Sequence, residues 1–350
     1  MRQRQRLPEI CMRIFNKLVQ GTLAAALGLA FSVSALAADI TGAGATFPYA
    51  IYAKWAEAYR AATGNRVNYQ AIGSSGGVKQ IKAKTVDFGG TDAPLKQSDL
   101  DAAKLVQFPS VMGGVTIVMN VPGIESGKLK LDGVTTADIF RGAITKWNDP
   151  AIVRLNPGVK LPNMAITLSH RSDGSGTTYA FTHYLARQSP AFMREVGAGN
   201  TVNWPSNAVG GKGNAGVAAN IQKIRGTIGY VDIADAMNNS MKYIALKNRA
   251  GNYIVPSQQA IADAAAGANF KIKGMAPDLL DQPHKNAWPI TSATYILAYE
   301  KAPDAAKQKG VVDFFSWSLN NGQGMAADLG FVALPPNVVK MVEAEMTKIK

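Results

Sequence analysis

The chain has 350 residues, 37 Lys+Arg against 24 Asp+Glu, a formal net charge of +13, 47% hydrophobic residues and a single cysteine. One cysteine excludes a disulfide framework, and the basic excess, spread without a Lys/Arg run or a basic–aromatic cluster, argues against a nucleic-acid surface and gives weak support for an anionic ligand. The length is enough for one large or two medium α/β lobes that stand on their hydrophobic core alone.

The chain opens with Arg2, Arg4, Arg6, Arg13 and Lys17 ahead of an apolar stretch from about Leu18 to Ala38, which ends in Ala35-Leu36-Ala37. A charged start, an apolar middle and an A-x-A end predict a cleaved secretory signal peptide over residues 1–37, with Met12 as an alternative start. A membrane anchor fits less well, because nothing charged follows to stop transfer. Cys11 leaves with that peptide and is not in a lipoprotein-type position, so no lipid anchor is expected. Five basic residues and one acidic residue go with it, leaving 32 Lys+Arg against 23 Asp+Glu and a net charge of +9 from Ala38 onward.

From there, strand-like runs alternate with helical patterns, as in an α/β fold. Ile51, Trp55, Ala58, Tyr59 and Ala62 fall at helical spacing, and Gly64 stops that helix. Arg66 to Ile72 alternates as a strand, with Val67, Tyr69 and Ala71 on one face. A helix is expected from about Val78 to Lys84, a short strand over Val86 to Phe88, and a loop at Pro94. Two long apolar runs, Gly114 to Asn120 and Ser292 to Ala298, are candidates for crossings between lobes. They would make residues 38–115 plus 290–350 one lobe and 116–289 the other.

Three segments share a design in which a Gly/Ser/Thr-rich turn opens a helix: Gly42 to Pro48, Gly73 to Gly77 and Arg171 to Thr177. The first amides of a helix lack internal partners and sit at the positive end of its dipole, and glycine lets backbone approach a ligand closely. Three such starts converging would make an anion site, with Arg171 as a planar cationic fork. Each turn taken singly is equally well an ordinary helix cap. Asp92, in Gly89-Gly90-Thr91-Asp92-Ala93-Pro94, is the exception among these groups. A carboxylate repels an anion unless the ligand carries a proton for it to accept. Phosphate does so near neutral pH and sulfate does not, so Asp92 would discriminate between them; the plainer reading is a loop-capping Asp.

Taken in order along the chain, Thr41 to Pro48, Gly73 to Val78, Asp87 to Pro94, Arg171 to Thr177, Gly210 to Asn214, Gly226 to Val231 and Trp288 to Thr291 are similar to the PstS family of periplasmic phosphate-binding proteins of the Pst phosphate ABC transporter. The resemblance covers essentially everything after residue 37 and departs from the family only at flanking positions such as His170 and Ser172. It implies a type II periplasmic-binding-protein fold, two α/β lobes with a two-strand hinge and the ligand in the cleft. Carried across residue by residue, it places phosphate contacts at Ala45, Thr46, Phe47, Ser74, Asp92, Arg171, Ser175, Gly176 and Thr177. Backbone donation is implied at Phe47 and Thr177, and hydroxyl donation from Thr46, Ser74, Ser175 and Thr177. Asp173 would orient Arg171. The implied partners are inorganic phosphate and the membrane permease subunits of the transporter; the expectation is a periplasmic monomer without cofactor, metal or nucleic acid.

Enzymatic readings are weaker. Gly73 to Gly77 matches the G-x-S-x-G pattern of serine hydrolases at Ser75, but His170, His183 and His284 are the only candidate bases. No P-loop is present, since Ser206 stands five positions before Gly211 and Lys212 precedes Gly213. No His/Asp/Glu group has metal-ligand spacing. The nearer rival is a binding protein for another oxyanion, sulfate or molybdate.

Overall fold

The computed structural model describes residues 39–350; the expected signal peptide and Cys11 lie outside the described residues. The chain begins β1 (Ile40–Gly44), α1 (Tyr49–Thr63), β2 (Val67–Ala71), α2 (Ser74–Lys82), β3 (Phe88–Thr91), α3 (Gln97–Ala103) and β4 (Leu105–Met119). It continues through β5 (Lys130–Leu131), α4 (Gly133–Phe140), α5 (Pro150–Leu155), β6 (Thr167–Arg171), α6 (Gly176–Gln188) and α7 (Pro190–Glu195). Next come β7 (Val209–Gly211), α8 (Gly213–Lys223), β8 (Thr227–Asp232), α9 (Ile233–Asn238), β9 (Lys242–Tyr243), β10 (Ala245–Lys247) and β11 (Tyr253–Ile254). The last elements are α10 (Gln258–Ala265), β12 (Thr291–Tyr299), α11 (Ala305–Asn321), α12 (Gly324–Asp328) and α13 (Pro336–Met346).

The opening unit follows its residue pattern. Of the positions read at helical spacing in α1, Ile51, Trp55 and Tyr59 are buried, joined by Tyr52, whereas Ala58 is half-buried and Ala62 exposed; Gly64 ends the helix at φ 79°, its amide bonded to Arg60 O. That left-handed cap is a conformation glycine adopts without a Cβ penalty. In β2, Val67, Tyr69 and Ala71 are partly buried while Asn68 and Gln70 face solvent, as expected of a strand at a sheet edge.

The strands form a mixed sheet in the order β2-β1-β3-β12-β4-β8-β6-β7, with β9 also on β4. β1, β2 and β3 run parallel at one end, and β6, β7 and β8 run parallel at the other. β4 is shared between them and all 15 of its residues are buried. Its first part, Leu105 to Gly114, pairs antiparallel with β12, whereas Val115 to Met119 pairs antiparallel with β8. Trp288, fully buried beside this change of partner, donates its indole N–H to Val115 O at 3.0 Å. The two parallel sets turn their carboxyl ends toward the same region, where open α/β sheets bind ligands. Gly44 ends β1, Thr91 ends β3, Arg171 ends β6 and Asp232 ends β8.

Two boundaries differ from the pattern-based expectation. The helix expected from Val78 starts at Ser74, because Gly76 and Gly77 cost helix propensity but are needed for close packing on the sheet. A Cβ on Gly77 would lie 2.5 Å from Gly44 Cα and 2.6 Å from Ala43 O. The strand expected at 86–88 is Phe88–Thr91, carried through two glycines by neighbours on both sides, β1 and β12.

Candidate functional site

The three glycine-rich turns meet. The first follows β1, where Gly44 at φ 149° lies so close to Gly90 O that no side chain fits. Ala45 is fixed by its own backbone, its amide donating to Gly90 O at 2.9 Å and its carbonyl accepting Tyr69 Oη at 2.8 Å. Ala45 therefore shapes the turn and has no donor left. Neither α1 nor α2 has a side-chain cap at its start. The amide of Phe47 finds no acceptor among the described residues, and the same holds for Thr177 in the first turn of α6. The Thr177 amide is an orphan donor of a helix start, and that of Phe47 lies in the turn just before the N-cap of α1.

The third turn is capped: Ser175 Oγ accepts the amide of Thr178 at 3.1 Å. That uses an oxygen lone pair and leaves the Ser175 proton free to donate. Thr177 Oγ1 accepts Arg171 Nη1 at 3.1 Å, with the same consequence. Thr46 Oγ1 accepts Asn214 Nδ2 at 3.2 Å and likewise keeps its proton.

Ser74 behaves differently. Its Oγ accepts the amide of Gly176 at 3.1 Å and that of Asp92 at 3.2 Å, and its hydroxyl donates to Asp92 Oδ2 at 3.4 Å. Thus the Ser74 proton and the Gly176 amide, both expected to serve a ligand, here bond within the protein. They tie the start of α2 to the start of α6.

Arg171 is 4% exposed. Nε and Nη2 grip both oxygens of Asp173 at 2.9 and 2.5 Å, and Nη1 reaches Asn214 Oδ1 at 3.0 Å besides Thr177. Of the five guanidinium hydrogens, one on Nη2 is left. Burial alone would raise the Asp173 carboxyl, but the hydrogen bonds and charge of Arg171 outweigh it and hold it below the usual range. Asp173 also accepts the amide of Gly213 at 3.0 Å.

Asp92 is 2% exposed, and burial pushes its carboxyl up to about 7. The hydrogen bond from Thr294, the charge of Arg171 and the hydrogen bond from Ser74 pull in the opposite direction. Thr294 Oγ1 donates to Asp92 Oδ1 at 2.5 Å. Asp92 is therefore a buried carboxyl bonded by Thr294 and Ser74, and not a solvent-facing loop cap.

Four contributors were not singled out from sequence. Asn214 accepts from Arg171 and donates to Asp232, Thr294 holds Asp92, and Tyr230 Oη accepts the amide of Arg171 at 3.3 Å. Burial pushes the Asp232 carboxyl well up, and the neighbouring Asp235 adds to it. Asn214 stood in Gly210 to Asn214, which carried the family resemblance, and Thr294 stood in a crossing candidate, but neither pattern gives a role. A cavity of about 330 Å³ opens beside the cluster, lined among others by Thr46, Phe47, Asp173, Lys212, Asn214 and Asp235.

Ser75, the hydrolase candidate, is exposed and accepts Asn200 Nδ2 at 3.1 Å. His170 and His183 bond the carbonyls of Arg171 and Tyr179, and His284 faces Asp263; among the described residues none reaches Ser75. No three His, Cys, Asp or Glu side chains among them are placed to hold a metal ion. No helix among them is long and apolar enough to cross a membrane.

Residues 30–321 match the family model of a PBP superfamily domain. The chain is 50% identical over 306 residues, 87% of its length and 84% of the relative's, to the phosphate-binding protein PstS of Xylella fastidiosa strain 9a5c. It is 46% identical over 330 residues, 94% of its length and 96% of the relative's, to the PstS of Pasteurella multocida strain Pm70. Among solved structures it resembles PfluDING, a high-affinity periplasmic phosphate-binding protein bound with phosphate, at a TM-score of 0.70 and 23% identity, covering 88% of this chain and 93% of that one. At that identity the likeness speaks for the fold.

Proposed function

The chain belongs to the PstS family of phosphate-binding proteins, and from that premise we propose that it captures inorganic phosphate outside the cytoplasm and delivers it to the permease of an ABC transporter. The family is one of binding proteins and not of enzymes. The ligand contacts in this reading are the Phe47 and Thr177 amides, the hydroxyls of Thr46, Ser175 and Thr177, the free Arg171 hydrogen and Asp92. Ala45, Ser74 and Gly176 complete the cage, with the Gly176 amide turning from Ser74, and the Ser74 hydroxyl from Asp92, to the ligand. A leader over residues 1–37, a periplasmic location, no lipid anchor and a monomeric state belong to the same reading.

The observation that carries it is Asp92, a buried carboxyl bonded by Thr294 and Ser74 where the glycine-rich turns meet. An anion site built only for charge has no use for it. In its ionised form it accepts a hydrogen bond from a protonated oxyanion, while sulfate or molybdate would leave a buried acceptor opposed to a like charge. Closure is part of the proposal. Residues 38–115 plus 290–350 would form one lobe and 116–289 the other, with the change of partner along β4 at Gly114/Val115 and the chain's return near Ile290 supporting those crossings. Phosphate should raise the melting temperature while equimolar sulfate leaves it unchanged; equal stabilisation by both would remove the proton-reading role.

A further inference from the structure

Asn214, the second residue of α8, is fully buried between the two sets of site residues. Arg171 Nη1 can only donate, so the group facing it at 3.0 Å is the Asn214 carbonyl oxygen. The amide nitrogen then points the other way and serves two acceptors, Asp232 Oδ2 at 2.6 Å and Thr46 Oγ1 at 3.2 Å. Asp232 is itself pinned, its other oxygen accepting the amide of Asp235 at 2.9 Å where it caps α9. Every hydrogen-bonding direction along Arg171, Asn214, Asp232 and Thr46 is thus determined. Thr46 is an acceptor on the Asn214 side, so its single proton is turned elsewhere.

From this relay, and resting on the phosphate reading above, we infer that Asn214 is a positioning residue that fixes the polarity of Thr46, making its hydroxyl a donor toward the bound oxyanion. Asp232 holds Asn214 in the orientation that does so. Thr46 and Asn214 are 168 positions apart in sequence. Their bond links the turn after β1 to the start of α8, so it also favours the arrangement in which ligand groups from both parts of the chain face one another. Asn214 need not touch phosphate for either effect.

A double-mutant cycle isolates this coupling. Wild type, Asn214→Ala, Thr46→Val and the double variant are titrated calorimetrically with inorganic phosphate. Asn214→Ala alone is expected to weaken binding by about ten- to a hundredfold, the range for leaving a buried polar group misdirected. In the Thr46→Val background, where there is no hydroxyl to orient, only the lost bond to Arg171 remains, so the same change should cost several-fold less than in wild type. Equal losses in both backgrounds, or no loss in the first, overturn the inference. If Asn214→Ala folds poorly, the isosteric Asn214→Asp serves. A carboxylate cannot donate to Thr46 and draws its proton away from the ligand, so this penalty should also shrink by about tenfold once Thr46 is Val; an unchanged penalty overturns the assignment. A wild-type protein that binds no phosphate removes the underlying reading as well, and shows it before any variant is compared.

Discussion

The hydroxyl of Ser74 accepts the amide of Gly176 at 3.1 Å, so the first residues of α2 and α6, 102 positions apart, are bonded directly. No bulk separates them. A Cβ on Gly176 would lie 2.6 Å from Ser74 Oγ and 2.5 Å from Asp92 Cβ.

Gly176→Ala should therefore reduce phosphate affinity by about five- to a hundredfold, since overpacking of this kind costs about 1–3 kcal/mol. Alanine is the better helix former, by about 1 kcal/mol in a helix interior, so a propensity argument alone predicts a harmless change. Calorimetric titration decides: unchanged affinity would mean the two helix starts need not approach this closely.

The elevated Asp92 carboxyl gives a pH dependence of defined sign. Its unfolded value is about 3.9 and its folded value about 7, so the unliganded folded state binds the extra proton. The stability this contributes is complete below about pH 4 and is lost as pH rises through about 7. Asp92→Asn does not undergo that loss. Its melting temperature relative to wild type should rise between about pH 4 and pH 8 and then level off. A difference that stays flat across this range would show that Asp92 titrates at its ordinary value. The same variant should relax discrimination against unprotonated oxyanions such as sulfate.

Arg171→Lys keeps the charge and loses the fork. Four guanidinium hydrogen bonds to Asp173, Thr177 and Asn214 cannot be reproduced by one ammonium group. Phosphate affinity should fall by about a hundredfold or more, and the Asp173 carboxyl, freed of its paired bonds, should shift toward the ordinary range. A loss below about threefold would indicate that point charge alone suffices.

Two adjacent glycines should respond oppositely. The Cβ of Gly77→Ala meets backbone, Gly44 Cα, Ala43 O and Gly90 O, none of which can give way. That of Gly76→Ala meets Ile72 Cδ1 at 2.9 Å, the far end of a flexible side chain. Denaturant unfolding should show Gly77→Ala losing about 1–3 kcal/mol. Gly76→Ala should be neutral or gain up to about 1 kcal/mol. Similar effects at both positions would contradict the close packing of α2 on β1 and β3.

What the sequence made legible was local. Most of the α1 stripe (Ile51, Trp55 and Tyr59, though not Ala62), its glycine stop and the alternation of β2 are short-range patterns that appear in the structure. Glycine turns before helices also marked the site, and Arg171 with Asp173 stood two residues apart. What was not legible depends on long-range pairing. Nothing near Thr294 shows that it faces Asp92, 202 positions earlier, and nothing near Asp232 shows that it holds Asn214. The same limit misplaced α2 and β3, whose glycines read as breaks until their sheet neighbours are known. Hydroxyl polarity was hidden for the same reason, and Ser74 donates to Asp92 here because of partners the local sequence does not contain.

The most direct test of phosphate capture is equilibrium dialysis of the purified protein against radiolabelled phosphate, with and without a hundredfold excess of sulfate. One phosphate retained per chain and not displaced by sulfate is the predicted result. No retention, or displacement by sulfate, would contradict a site in which Asp92 reads the proton of the ligand.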